Sequence, residues 1–481
     1  MAKYYFVFGE GSKINQIICA VLINLPLFAY GASIGWLSPM TLLLQSKDSP
    51  TGRPLTDTEI SWMASAAYLI CCPADFLMAF MGDRIGRKYT LLFITSTLVG
   101  CWIIKLASYE VPAFIAARAL VGLNMAGCFV ICPIYTKEIS QDSIRGFLGT
   151  MLVLFQTTGN LFGYVMGDLL TYNTFLWVCL ALPTLHLILF MMMPESPSFL
   201  LKQGNVEEAT RVLAWLRCRT EDDVVIKNEL QIMKKEQEKD SEGSKFLLKN
   251  ILSDRILRRA FIIAMVVTLA REVCGAIPVL SFAGDIFSMA SKGSSLVLSP
   301  NQQAMMLGAV QVAGSALASS VVEKAGRKML LFITSLISGL SMCGLASWFL
   351  VKNLGYYAPA WIPVVTLCVS IFCDASGLQP VSMVLTGEIV SFKYRGTVMA
   401  ITMAAASFSA FLQMLFFKPL ATAIGVHVAF YFFFGICVTA AIYVLIFIPE
   451  TRNKTLDQIY EALKIKKEKI KEKQLTKSED C

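Results

Sequence analysis

Charged residues recur in this chain at matched intervals. Asp83-Arg84-Ile85-Gly86-Arg87-Lys88 has a counterpart in Glu323-Lys324-Ala325-Gly326-Arg327-Lys328. Glu138 is followed seven residues later by Arg145-Gly146, and Glu388 seven residues later by Arg395-Gly396. Pro194-Glu195-Ser196 is matched by Pro449-Glu450-Thr451. Acids and bases on separate helix ends can pair in one conformation and part in another, which is the chemistry of a gate. The spacing predicts one charge network built from Asp83, Arg84, Arg87, Glu138, Arg145, Glu195, Glu323, Arg327, Glu388, Arg395 and Glu450. Membrane topology alone would supply the bases, but not acids at fixed spacing.

A second group is polar inside apolar runs. Gln156, Asn160, Gln311, Gln379 and Gln413 offer amide donors and acceptors of the kind that read hydroxyl groups. Arg271-Glu272 stands about a dozen residues beyond Arg258-Arg259, roughly 18 Å along a helix. Ionisable side chains at that depth point to function rather than to snorkelling from a span end. Asp75 and Asp374 are embedded in the same way, whereas Lys105 is expected to snorkel to the outer end of its span. No nucleophile–base pair, metal cluster or phosphate loop rises above chance. The 14 cysteines fall mostly in apolar runs, with no CxxC pair, and there are only two histidines, His186 and His427. Neither an enzyme, a metal site, a cofactor nor a disulfide framework is expected.

The elements that position these residues are set by composition. Of 481 residues, 56% are apolar or aromatic and 16% charged, against ~25% charged in soluble chains. That excludes an ordinary cytosolic enzyme and a disordered chain, and despite the net charge of +8 it excludes a nucleic-acid partner. Apolar runs long enough to cross a bilayer fall at 14–38, 60–82, 89–108, 112–136, 147–169 and 173–193, then at 260–289, 303–322, 329–351, 360–389, 397–419 and 424–448. The chain therefore reads as an all-α polytopic membrane protein of twelve transmembrane helices in two six-helix halves. Residues 1–193 form the first bundle, 194–258 a cytosolic linker with surface helices, 259–448 the second bundle, and 449–481 a charged cytosolic tail containing KIKKEKIKEK. The first span is read as a signal-anchor. With both termini cytosolic, inner segments hold 34 of the 42 Lys and Arg. Outer loops hold five: Lys47, Arg53, Lys292, Lys352 and Lys418. Two repeated halves are the pattern of a transporter that rocks about a midplane site.

The motifs resemble those of the sugar porter family of the major facilitator superfamily. DRIGRK and EKAGRK are similar to its loop motifs after spans two and eight. Pro133, Tyr135, Glu138, Arg145 and Gly146 match its span-four signature, and PESPSFLL and PETRNKTL its span-six and span-twelve endings. The overall texture is most similar to the insect facilitated trehalose transporter branch. The resemblance implies a small-molecule sugar substrate, mono- or disaccharide, a monomer and a plasma-membrane location. It also implies that Arg118, matched to a family arginine, is structural. The departures fall on the sugar-reading residues. Span seven reads Arg271-Glu272-Val273-Cys274-Gly275-Ala276-Ile277 where the family has glutamines and an asparagine. The span-ten tryptophan is Met383, and Ser281-Phe282 replace two tyrosines. The expected substrate-binding set is therefore Gln156, Gln311, Arg271, Glu272, Asn160 and Gln379. Proton-coupled members carry a span-one aspartate; Ala29-Tyr30-Gly31 stands here, which favours facilitated diffusion, with Asp75, Glu272 or Asp374 as alternative proton carriers. A charged or non-sugar solute, or a sensor that has lost flux, are the competing readings.

The topology has a direct check. A cysteine placed at Lys239 should be inaccessible to an impermeant thiol reagent in intact cells and accessible once the membrane is permeabilised; labelling from outside would overturn it.

Overall fold

The computed structural model describes residues 11–241, 247–291, 298–452, 454 and 456–463, and among them there is no strand. The tail motif KIKKEKIKEK and the side chains of Glu323 and Arg395 lie outside the described residues. Spans one to six are Ile14–Gly35 with its continuation Leu37–Leu44, then Asp57–Arg84, Arg87–Ala107, Val111–Ile139, Asp142–Leu169 and Tyr172–Phe190. Four short helices follow: Pro197–Lys202, Val206–Arg217, Val224–Ser241 and Leu247–Ser253. Spans seven to twelve are Arg255–Ser291 in three pieces, Pro300–Ala325, Arg327–Asn353, Trp361–Glu388, Phe392–Leu420 and Val426–Phe447.

Nine stretches of the described residues are apolar and long enough to cross a membrane, and the last, Gly396–Phe447, contains both spans eleven and twelve. The two spans that fall short are five and eight, although they have 28 and 26 residues. Their polar residues, Gln156, Thr157 and Asn160 in one and Gln311 and Ser315 in the other, are the cause. With them the count is twelve, and the described residues form an all-α fold with two sets of six spans, as expected.

Spans seven and ten are interrupted at mid-length, span ten where Gly377 and Pro380 mark a breakpoint in the sequence. Span seven stops at Glu272 and restarts at Ala276, because Gly275 takes φ +95°, where a side chain would be strained. A Cβ at Gly275 would also lie 2.5 Å from the Phe433 ring. Span ten widens to a π-turn over Asp374–Leu378 just before Pro380, whose missing N–H suits a disturbed hydrogen-bond ladder. Irregular backbone at membrane depth is tolerated where it lines a cavity.

Spans one and five touch through glycine. Cβ atoms built at Gly31 and Gly35 would sit 2.1 and 2.2 Å from the carbonyl oxygens of Gln156 and Asn160, and one at Gly159 2.1 Å from that of Phe28. Small residues let membrane helices approach to backbone contact. Below the bundle, the linker helix Val206–Arg217 is tied to span one by Asn15 Nδ2 donating to Trp215 O (2.8 Å). Arg217 Nη1 ties it to span four by donating to Ile139 O (2.8 Å). The tail helix Leu456–Leu463 is held in the same way, with Tyr460 accepting from Ser391 N and Arg259 donating to Leu463 O.

Gly35→Val should therefore destabilise the protein in detergent by about 1–3 kcal/mol, the usual cost of overpacking. Gly149→Ala, with nothing within 4 Å of its Cβ, should leave the melting temperature unchanged or slightly raised.

Candidate functional site

The matched charge motifs fold into two copies of one construction. Span three begins at Arg87 after Gly86, which offers no side-chain cap. The cap comes from Glu195, whose carboxylate accepts from the backbone N–H of Arg87 (3.0 Å), Lys88 (3.1 Å) and Ser196 (2.8 Å). Arg87 then reaches Glu138 on span four with two bonds, at 3.0 and 3.2 Å, and Asp83 at 3.3 Å. Span nine repeats this. Glu450 caps Arg327 N (2.9 Å) and Lys328 N (3.1 Å), and Arg327 Nη2 bonds Glu388 at 3.0 Å. Ser196 donates to Glu138 as Thr451 does to Glu388.

These are two clusters rather than the single network expected. Among the described residues no ion pair joins one to the other. Arg84 instead lies over the Phe80 ring, 5.4 Å from its centroid, and Arg145 donates to Ser140 O at 3.3 Å. The physical reason is that Arg87 and Arg327 are each taken up by the glutamate of their own half, Glu138 and Glu388.

At mid-depth the helices close on a cavity. Its lining includes Tyr30, Tyr68, Gln156, Thr157, Asn160, Arg271, Ser281, Gln311, Asp374 and Gln379. Asn160 Nδ2 donates to Gln311 Oε1 at 2.9 Å, an amide pair between spans five and eight. Tyr164 donates to Leu280 O above it. Gln156 Oε1 and Asn160 Oδ1 are buried and accept nothing. Arg271, on the last turn before the break in span seven, pairs with Glu272 and lies 3.7 Å from Asp374 Oδ1. Gln413 from span eleven donates to Glu272 O at 2.9 Å.

Five of the six residues expected to bind substrate thus line one cavity. Glu272 does not; it stands behind Arg271 as its counter-ion. Tyr30, Tyr68 and Thr157 are lining residues that the sequence reading missed. Tyr30 was on view beside the absent span-one carboxylate, but a tyrosine in an apolar run carries no distinguishing signal. Asp75 faces elsewhere, toward Cys71 and Ser407 of span eleven. Lys105 does not snorkel: it is fully buried, with Nζ 3.6 and 4.2 Å from the ring centroids of Trp36 and Trp102. Two aromatic faces stabilise an ammonium that has left water. Arg118 is also buried and donates to Ser33 O.

A family profile described as "Sugar (and other) transporter" matches residues 18–463. The facilitated trehalose transporter Tret1 of Culex quinquefasciatus is 25% identical over 448 residues, covering 92% of this chain and 85% of that one. The Aedes aegypti protein of the same name is 26% identical over 92% of this chain, which spans 54% of its greater length. Among solved structures, the inward-open xylose transporter XylE from E. coli superposes with a TM-score of 0.75 at 19% identity, covering 93% of this chain and 99% of that one.

The two capping carboxylates differ in their electrostatics. Burial, the largest influence on Glu195, pushes its carboxyl above the usual range despite the backbone donors. Burial raises Glu450 too, but the N–H groups of Arg452, Arg327, Lys328 and Thr451 together outweigh it and hold that carboxyl below the usual range. Charge therefore matters more at Glu450. Glu450→Gln should lower the melting temperature at pH 7 more than Glu195→Gln. A depressed carboxyl stabilises above its unfolded pKa, so the Glu450→Gln deficit should shrink as pH falls through about 4. Equal deficits, or one that grows on acidification, would refute this.

Proposed function

The chain belongs to the sugar (and other) transporter family, and on that premise we propose that it is a facilitative uniporter for a mono- or disaccharide, working by alternating access. The relatives are transporters, and the chain is a multi-pass membrane protein. The proposal takes residues 1–193 and 259–448 as the two moving halves, 194–258 as the cytosolic linker and 449–481 as the tail. It places both termini in the cytosol, the protein in the plasma membrane, and the working unit as a monomer.

The observation that carries the reading is the pair of unpartnered acceptors, Gln156 Oε1 and Asn160 Oδ1, in a cavity between the two sets of spans. A buried acceptor left empty costs ~1–3 kcal/mol, which a hydroxyl donor recovers. A sugar brings such donors in number, and Tyr30 and Tyr68 add aromatic surface beside them. Trehalose, for which those relatives are named, fits the same chemistry. With few direct contacts the affinity is low. The second reading, a charged solute, is favoured by Arg271 in the lining, but Glu272 and Asp374 already surround that guanidinium.

In proteoliposomes, labelled glucose or trehalose should enter saturably and without response to collapse of a proton gradient. Gln156→Ala should reduce uptake roughly tenfold, one hydrogen bond at ~1.4 kcal/mol. Saturable uptake of an organic ion, with no sugar flux and no competition by sugars, would move the protein to the charged-solute reading.

A further inference from the structure

Lys418 was counted among the outer-loop bases, yet it lies in the last turn of span eleven and is 8% exposed. Its Nζ is 2.6 Å from Asp285 Oδ2 in the last piece of span seven. It also donates to Gln45 Oε1 and lies 3.8 Å from Asp57 Oδ1 at the start of span two. Gln45 Nε2 in turn donates to Asp57 Oδ1 at 2.8 Å. Thr422 Oγ1 closes the ring, 2.9 Å from Asp57 Oδ2 and 3.0 Å from Lys418 O.

Gln45 and Asp57 belong to the first six spans; Asp285, Lys418 and Thr422 belong to the last six. Among the described residues Lys418–Asp57 is the one ion pair that joins these two sets. The ring sits at the end of the molecule opposite the Arg87 and Arg327 clusters, where the two sets are in contact. A neutral bond nearby, Gly284 N to Ser38 Oγ at 2.8 Å, also crosses between them. The cavity residues Asn160 and Gln311 lie below it.

We infer that Lys418, Asp57, Asp285, Gln45 and Thr422 form an outer latch that holds the extracellular mouth shut and must part before solute can reach the cavity from outside. The inference rests on the alternating-access reading above and adds a gating element to it. The logic is charge balance. Lys418 compensates Asp285, which is 8% exposed, within its own half, and its remaining donors are spent across the gap on Gln45 and Asp57. When the halves separate, Lys418 and Asp285 keep one another, so opening strands no buried charge. It breaks only the cross-gap bonds, which water replaces. That makes the closed state favourable without making it irreversible.

The test is the distance between nitroxide labels on Thr58→Cys and Ala423→Cys, both exposed positions beside the ring, in the full chain in lipid nanodiscs without solute. A background without the two introduced cysteines corrects for labelling of native thiols. The parent should show mainly one short distance. Gln45→Leu with Thr422→Val, which removes cross-gap bonds and strands no charge, should raise the long-distance population about tenfold, the equivalent of one charge-assisted hydrogen bond. Lys418→Met should do the same and Lys418→Arg should keep the parent pattern. If Lys418→Met fails to fold, the Gln45/Thr422 variant decides. Unchanged distances in folded Gln45→Leu/Thr422→Val protein would overturn the latch. Because the measurement needs no solute, a failure of sugar uptake leaves it unaffected, and sugar uptake with unchanged distances would remove the latch alone.

Discussion

Spans three and nine of this transporter begin without a capping side chain of their own, and much of the molecule depends on how that is remedied. A helix start leaves N–H groups unsatisfied and carries partial positive charge. Here the remedy is a carboxylate 108 residues further along for span three, and 123 residues further for span nine. Each arrives from the end of the last span of its half. Glycine is required where it stands: a Cβ on Gly86 would lie 2.3 Å from Glu195 Oε2, and one on Gly326 2.9 Å from Glu450 Oε2. The arginine that follows each glycine then binds the span-four or span-ten glutamate. One acid and one arginine thereby tie the third, fourth and sixth helices of each half at a single point.

The interior shows the complementary arrangement. Spans five and eight carry amides that weaken them as membrane helices, and the structure gathers that polarity in one place by setting Asn160 against Gln311. The breaks in spans seven and ten fall at the same depth and put Arg271, Ser281, Asp374 and Gln379 around the cavity. Polar side chains and irregular backbone thus share one compartment, and the apolar remainder of each helix is left to lipid and packing.

The helical framework was legible because each span needs a minimum apolar length, and span ends read from the sequence fall within a few residues of those observed. The paired motifs also marked Arg87, Glu138, Glu195, Arg327, Glu388 and Glu450 as charges that meet in matched clusters, but not that Arg84 and Arg145 would stand outside them. What the sequence did not carry was which partner each charge would take. Arg87 and Glu138 pair within one half, and nothing in their spacing distinguishes that from a pair between halves. Lys105 and Lys418 misled for a related reason. Hydropathy treats a lysine near a span end as solvated, but Trp36 and Trp102 enclose the first and Asp285 meets the second. Trp36 and Asp285 are remote in sequence, and Trp102, though only three residues from Lys105, encloses it only together with Trp36. Glu272 looked like a binding residue because it is embedded; it pairs with Arg271 and does not line the cavity.

The glycine contact between spans one and five has a mechanical consequence. With backbones touching at Gly31, Gly35 and Gly159, the two helices have no slack to slide or roll and behave as one stiff beam. Tyr30 and Gln156 lie on opposite members of that beam, so their separation is set by the backbone packing at these glycines more than by side-chain choice. A solute in the cavity would meet this wall in the same shape whichever way the protein faces. The opposite wall, made of the interrupted spans seven and ten, is the compliant one, and the work of reshaping the site falls on it.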